Sequence, residues 1–387
     1  MIFDLTLYAS LLIFLLGLCY RISAWFRTAI GLSPVGINPS ARVMAAVGGL
    51  LGALTSPKIL GLLKVFFLDI LLQFRILRDK KDTLVWLMHI CIYGGFTLLL
   101  LMHALDKFIA ARLFEEYYST LNPFMFLRNL FGLVFLAGLI LAVIRRIRSR
   151  VSGLSTTPMD IFAIALLSVV VVSGFLLEAA KISSFSAYGR MVDEYAALKN
   201  QEEAKALEVF WVKQFGVVSP SNFQNVSKET LEQGRQLSEM SCAGCHSNPR
   251  WAFLSFAAAK ITMPVAYELD KAGYPQFLWY LHFLSCFFGL AYLPFSKFFH
   301  IISTPVSLLV NAAAGEGHSS PANLATKLSI ELDGCKHGGA CHDGCPIQMK
   351  RIESLEAARK QDAFYDYFQK RLHLAKKSAP AGEHTHS

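Results

Sequence analysis

Charge is scarce in this chain. Of 387 residues only 17% are Asp, Glu, Lys or Arg, against 54% hydrophobic, and 30 are phenylalanine, far from the balance of a soluble globular domain. No phosphate-binding loop, no hydrolytic constellation and no internal repeat occurs, so nucleotide-driven chemistry, hydrolysis and solenoid architectures have no footing. The first apolar segment lacks the basic leader and small-residue cleavage site of a signal peptide and is expected to be a retained helix. Basic residues outnumber acidic ones, 37 to 28, but the excess lies in connections and in the tail, which does not argue for nucleic acid.

Long apolar runs are what the chain has. Five reach the ~20 residues that cross a bilayer, from about Leu5 to Phe26, Leu84 to Leu105, Phe124 to Ile144, Met159 to Ala180 and Gln276 to Ile301. The expected fold is an all-α integral membrane protein: a five-helix transmembrane bundle with a small periplasmic insertion and a cytoplasmic C-terminal extension. Helices 1 to 4 occupy residues 1–181, with an interfacial segment at 27–82. A periplasmic loop covers 182–275, the fifth helix 276–301 and the cytoplasmic tail 302–387. Orientation follows from the basic residues. The connection from Arg27 to Asp82 holds eight Lys and Arg, and Arg145, Arg146, Arg148 and Arg150 follow the third helix; both belong inside by the positive-inside rule. The turn from Asp106 to Glu116 and the connection from Lys181 to Pro275 are nearly charge-balanced and fall outside, with a periplasmic amino terminus and a cytoplasmic carboxyl terminus. The apolar but glycine-interrupted stretch Met44 to Gln73 reads as two interfacial helices, a membrane-entering hairpin being the alternative.

Four histidines sit in these apolar runs: His89 and His103 in the second, His282 and His300 in the fifth. At ~100° per residue, separations of 14 and 18 positions return each pair to nearly one helix face. Ionisable side chains in hydrocarbon turn toward partners inside the bundle, and two matched imidazole pairs suit iron in a macrocycle. Because the two helices run antiparallel, His89 matches His300 near the cytoplasm and His103 matches His282 near the outer side: two bis-histidine b haems, with ligands roughly 21 and 27 Å apart along the helices. Gly94 and Gly95 lie between the ligands, where a porphyrin edge needs room. The bland alternative is four histidines that merely hydrogen-bond within the bundle.

The outer connection contains Cys242-Ala243-Gly244-Cys245-His246, the C-x-x-C-H pattern of covalent c-type haem attachment, in which two thiols form thioethers and the histidine ligates iron. Zinc needs further ligands, and Lys181 to Pro275 holds no other Cys or His; a disulfide leaves His246 without a role. A short amphipathic helix, Lys228 to Met240, precedes the motif behind the cap Ser227. Met263, next to Pro264, is the expected sixth ligand, with Met240 also near. On the cytoplasmic side Cys335, Cys341 and Cys345-Pro346 match three of four cysteines of a ferredoxin run, with Gly338 in place of the missing one. That segment reads as a remnant that docks a partner. A three-thiolate iron–sulfur cluster, or zinc held with His337 or His342, are the other readings. Cys19, Cys91 and Cys286 read as small buried hydrophobes, and His384 and His386 belong to a disordered tail.

On the helix histidines, on Pro294-Phe295-Ser296-Lys297-Phe298-Phe299-His300 and on Arg75-Ile76-Leu77-Arg78 through Trp86-Leu87-Met88-His89, the chain resembles membrane cytochrome b subunits related to the gamma subunit of respiratory nitrate reductase. It is most similar to the branch serving heterodisulfide-reductase-like iron–sulfur subunits, as in the Dsr and Tmc complexes of sulfate-reducing anaerobes. The resemblance implies five helices, two b haems and exchange with a menaquinone-type pool in a bacterial cytoplasmic membrane. It also implies a cytoplasmic heterodisulfide-reductase-like partner, and the added haem c loop points to a periplasmic, often multihaem, cytochrome c. The wider spacing on the second helix and the haem c loop depart from the family pattern. The expected function is transmembrane electron transfer, with Asp106, Lys107, Glu178 and Lys181 at helix ends as candidate quinone contacts. A haem-stabilised membrane anchor is the alternative; a haem-based gas sensor would need an open coordination site, which four histidines for two irons do not leave.

Overall fold

The computed structural model describes residues 1–27, 38–80, 83–114, 117–151 and 158–314, with 322–323, 326–327 and 329–330. Cys335, Cys341 and Cys345, with most of the expected cytoplasmic tail, lie outside the described residues. The described residues are helical and contain no strand. In chain order the helices are α1 (Ile2–Arg27), α2 (Pro39–Leu54), α3 (Lys58–Lys64), α4 (Phe74–Lys80), α5 (Thr83–Leu99), the short turn α6 (Ala111–Leu113), α7 (Phe124–Val151), α8 (Pro158–Ser183), α9 (Phe185–Tyr195), α10 (Gln201–Phe210), α11 (Lys228–Ser241), α12 (Phe253–Lys271), α13 (Tyr274–Tyr292) and α14 (His300–Ala314).

Five spans are long and apolar enough to cross a membrane: Ile2–Arg27, Thr83–Ala104, Phe124–Arg148, Pro158–Ser183 and Tyr274–Phe295. Only 11–33% of the residues in their most apolar windows are buried by protein. Apolar faces left so open need lipid around them, and a helix is the form that satisfies its own backbone there. Pro39–Leu54 and Lys58–Leu71 together reach span length but bend by 92° at the break, where Thr55, Ser56 and Pro57 interrupt the helix. The protein is a multi-pass, all-α membrane protein.

The chain divides into two compact units, one of 1–86 with 290–387 and one of Leu87–Gly289. In the first, α1 meets the turn Leu293–Phe295 so closely that a Cβ on Gly17 would lie 2.7 Å from the Phe295 ring and 2.9 Å from Pro294. Trp25 and Phe299 pack with ring centroids 6.0 Å apart, and the buried Arg42 guanidinium donates to the Trp25 carbonyl at 2.6 Å and to Thr326 Oγ1 at 3.1 Å.

In the second unit α5 and α7 touch backbone to backbone. A Cβ on Gly95 would fall 2.7 Å from the Phe135 nitrogen, and one on Gly138 2.8 Å from the Ile92 nitrogen; small residues at both positions permit this crossing. The connection between α8 and α13, expected as a loop with one short helix, holds four helices. Ser227 caps α11 as expected, accepting from the Thr230 amide at 3.1 Å. Ser184 caps α9 and Asn200 caps α10 by the same device. At the α10–α11 crossing a Cβ on Gly234 would lie 2.1 Å from the Ala206 carbonyl oxygen. The long helix α12, with Ala259 and Ala266 buried, packs along α8.

Two expectations about register give way. The fifth helix does not run unbroken from Gln276 to Ile301: α13 ends at Tyr292, 3-10 turns Leu293–Phe295 and Lys297–Phe299 follow, and His300 opens α14. Pro294 lacks an amide donor, and the Ser296 hydroxyl accepts from the Phe298 amide at 3.2 Å, starting a new turn. The second span leaves α-geometry at Leu100–Ala104, a π-helical turn that contains His103. The 3.6-residue phase counted from His89 to His103 therefore does not carry through.

Candidate functional site

The unit Leu87–Gly289 contains a partly open cavity of about 1000 Å³, at the upper end of the ~300–1,000 Å³ typical of small-molecule sites. Three of the singled-out histidines line it: His103 from the π turn, His282 from α13 and His246 from the C-x-x-C-H segment.

His103 and His282 face one another, with ring centroids 6.1 Å apart and planes inclined at 57°. With metal–imidazole nitrogen distances of about 2.0 Å and a ring radius of about 1.1 Å, two imidazoles on opposite sides of one ion would have centroids about 6.2 Å apart. The observed separation fits an axial pair. His282 is also held in a ligand-ready tautomer: its Nδ1 lies 3.1 Å from the Val170 carbonyl oxygen and 3.1 Å from Ser173 Oγ. The carbonyl can only accept, so the ring proton sits on Nδ1 and the Nε2 lone pair is free. Gly174 makes room for this ring, since a Cβ there would stand 3.1 Å from His282 Cε1. His103 is held differently. Arg128 Nη2 donates to its Nδ1 at 3.1 Å, which leaves the proton on Nε2. Ligation through Nε2 requires the guanidinium to turn away.

His246 approaches from the segment that follows α11. Its ring meets Trp211 edge-on at 5.7 Å, and Trp211 packs on Tyr188 at 5.6 Å and on Phe215 at 4.4 Å. Burial holds the imidazole below its ordinary value, so at neutral pH it is uncharged with a lone pair to offer. Cys242, buried, and Cys245, half-buried, are free thiols, and burial raises the Cys242 thiol above its usual range. The segment is tied to the turn after the second span: the Ser247 amide donates to the Thr120 carbonyl at 3.0 Å, the Asn122 amide donates to Ser247 Oγ at 2.9 Å, and the Thr120 hydroxyl donates to the Cys245 carbonyl.

Two buried donors at the cavity lack a well-formed hydrogen bond. Arg128 Nε has no hydrogen-bond partner, and Trp211 Nε1, beside the Cys242 thiol, is buried without a well-formed bond. The acids in the lining are already engaged. Glu178 Oε2 accepts from Asn129 Nδ2 at 2.8 Å and from Ser255 Oγ at 2.6 Å, while Asp270 accepts from Ser184 Oγ at 2.6 Å and the Ser186 amide at 2.8 Å. Arg128, Lys181 and Arg190 thus present positive charge to a cavity with uncommitted donors. A planar iron macrocycle bearing carboxylates fits this donor set: paired imidazoles for the metal, and cations and N–H groups for the acid edge.

The remaining expected site residues fall elsewhere. His89 is in α5 of this unit, and His300 belongs to the other unit, where its Nδ1 lies 2.6 Å from the Lys297 carbonyl oxygen; that contact also leaves Nε2 free. Met263 is in α12 and does not line the cavity, and Met240 is 76% exposed. Of the quinone candidates, Glu178 and Lys181 line the cavity and Asp106 does not, while the side chain of Lys107 lies outside the described residues. Gly94 and Gly95 do not line it either. Gly95 serves the α5–α7 crossing, while Gly132 and Gly174 line the cavity and accommodate the Phe175 and His282 rings. Arg128, Asn129 and Ser173 were not foreseen, although polar residues inside apolar spans were the available signal. No protein-family model, no curated protein and no solved structure matches this chain.

Proposed function

We propose that this chain is the membrane cytochrome of an anaerobic respiratory complex. It carries electrons between a periplasmic cytochrome c or menaquinone-type quinone and a cytoplasmic heterodisulfide-reductase-like iron–sulfur subunit. The observation that carries this reading is the cavity in which the His103–His282 pair and the His246 segment meet. Redox groups held this near one another suit electron transfer, whereas a haem-stabilised anchor would lose stability on haem removal without a specific loss of electron transfer.

Haem iron with both axial positions filled by protein ligands exchanges single electrons without binding substrate. The chain's residues supply the rest. His103 and His282 are proposed as the outer b-haem ligands, His89 and His300 as the inner ones, Cys242 and Cys245 as thioether attachments and His246 as the haem c ligand. The Val170 carbonyl and Ser173 fix the His282 tautomer. Arg128 and Lys181 supply charge for an anionic edge, and the aromatic wall of Tyr188, Trp211 and Phe215 excludes water around His246. Cys335, Cys341 and Cys345 are proposed to dock the cytoplasmic partner.

Substitution of the ligands tests the reading. His282→Leu should remove one b haem per chain and leave the covalent c haem in place, and Cys242→Ser should do the reverse, both read by pyridine haemochrome quantification. Retention of the full b-haem complement by both His282→Leu and His103→Leu would contradict it.

A further inference from the structure

The cavity offers His246 a thioether partner other than the one its sequence neighbourhood suggests, and the inference rests on the haem c reading above. Helix α9 turns Ala187, Arg190 and Met191 to the cavity, positions i, i+3 and i+4 of one helix face. Met191 also packs against the apolar cluster of Tyr188, Leu207, Trp211, Val217 and Cys242. That cluster contains one of the two attachment thiols and the indole that meets the His246 ring at 5.7 Å. Met191 therefore shares both the chamber of His246 and the packing of Cys242. Met263 has neither property: it is absent from the lining, and its methyl lies near Gly216, 3.9 Å from where a Cβ on that glycine would stand. Met125 also lines the cavity, but from the first turn of α7 rather than from the Cys242 cluster.

We propose that Met191 is the second axial ligand of the haem carried by Cys242, Cys245 and His246. A methionine sulfur would stabilise the reduced iron relative to a second imidazole, so the midpoint potential reports which of the two is bound. The small Ala187, one turn before, leaves room at the same face.

The test uses the full-length protein in detergent, with Met191→Leu, Met263→Leu and Met125→Leu compared with the wild type. Leucine conserves volume and has no ligating atom. The oxidised wild type should show the weak far-red sulfur-to-iron charge-transfer band. Met191→Leu should abolish it while one covalent haem per chain remains, and the other two variants should keep it. Met191→His should restore a low-spin spectrum at a lower midpoint potential. Survival of the band in Met191→Leu, or its loss in Met125→Leu or Met263→Leu alone, overturns the assignment, as does its absence from a wild type that carries covalent haem. A wild type without covalent haem would instead overturn the haem c reading itself.

Discussion

Asn129 is 1% exposed inside the third span and acts as a cap for a helix far away in sequence. Helix α12 begins at Phe253, and the side chain of the preceding Ala252 caps nothing; Asn129 Oδ1 instead accepts from the Leu254 and Ser255 amides, each at 3.2 Å. Its Nδ2 donates to Glu178 at 2.8 Å. Asn129→Ala removes all three bonds, orphaning two amides at the positive end of α12 and depriving a carboxylate of a donor. A cap contributes about 1 kcal/mol, and a hydrogen bond to a charged group about 1.5–3 kcal/mol. The expected loss is about 2.5–4 kcal/mol, or roughly 10²-fold or more in the opening of the first turn of α12. Ser255→Ala, which removes only the bond from Ser255 Oγ to Glu178, should cost about half as much. Hydrogen exchange of the α12 amides in nanodiscs reads this directly. If Asn129→Ala leaves Leu254 and Ser255 as protected as in the wild type, or costs no more than Ser255→Ala, the capping argument is wrong.

Other consequences follow from the same geometry. Gly95→Ala drives a methyl against the Phe135 and Phe131 backbone and should destabilise the α5–α7 crossing by about 1–3 kcal/mol. Gly94→Ala, with nothing within 4 Å, should be neutral or stabilise by roughly 0.5 kcal/mol; thermal denaturation in detergent separates the two. Ser173→Ala removes one of the two contacts that orient His282 and should weaken b-haem retention by about 10-fold, measured as haem transfer to an apo-acceptor. Burial and the neighbouring Glu208 hold the Tyr188 phenol above its ordinary value of 10.0. The unfolded chain therefore releases that proton first, so the stabilisation is complete below pH 10 and declines above it. Tyr188→Phe should match the wild type at pH 7 and show a shallower alkaline loss in denaturation monitored across pH 9–11.

The membrane spans were legible because hydrocarbon imposes length and apolarity together, and all five segments stand within a few residues of their expected starts. Their ends were less legible. The apolar run through Phe299 hides the break that Pro294 and Ser296 impose, and a π turn such as Leu100–Ala104 leaves no mark on hydrophobic periodicity. Helices α9 and α10 carried cap signals at Ser184 and Asn200 that charge-balanced composition obscured. For the site, the residue types and spacings gave chemistry but not proximity. That His103 faces His282 in the chamber reached by His246 depends on α8, α12 and the turn at Thr120, none of which a motif encodes. Glu178 illustrates the limit most clearly: its place at a membrane end was legible, but its hydrogen bonds to Asn129 and to Ser255 at the start of α12 were not.

The central claim is that the chain holds two b haems and one covalent c haem. Reduced-minus-oxidised and pyridine haemochrome spectra of the purified polypeptide, with haem counted per chain, test it most directly. The account predicts a ratio of two b to one c; a folded chain without b haem would contradict it and return the four histidines to packing within the bundle.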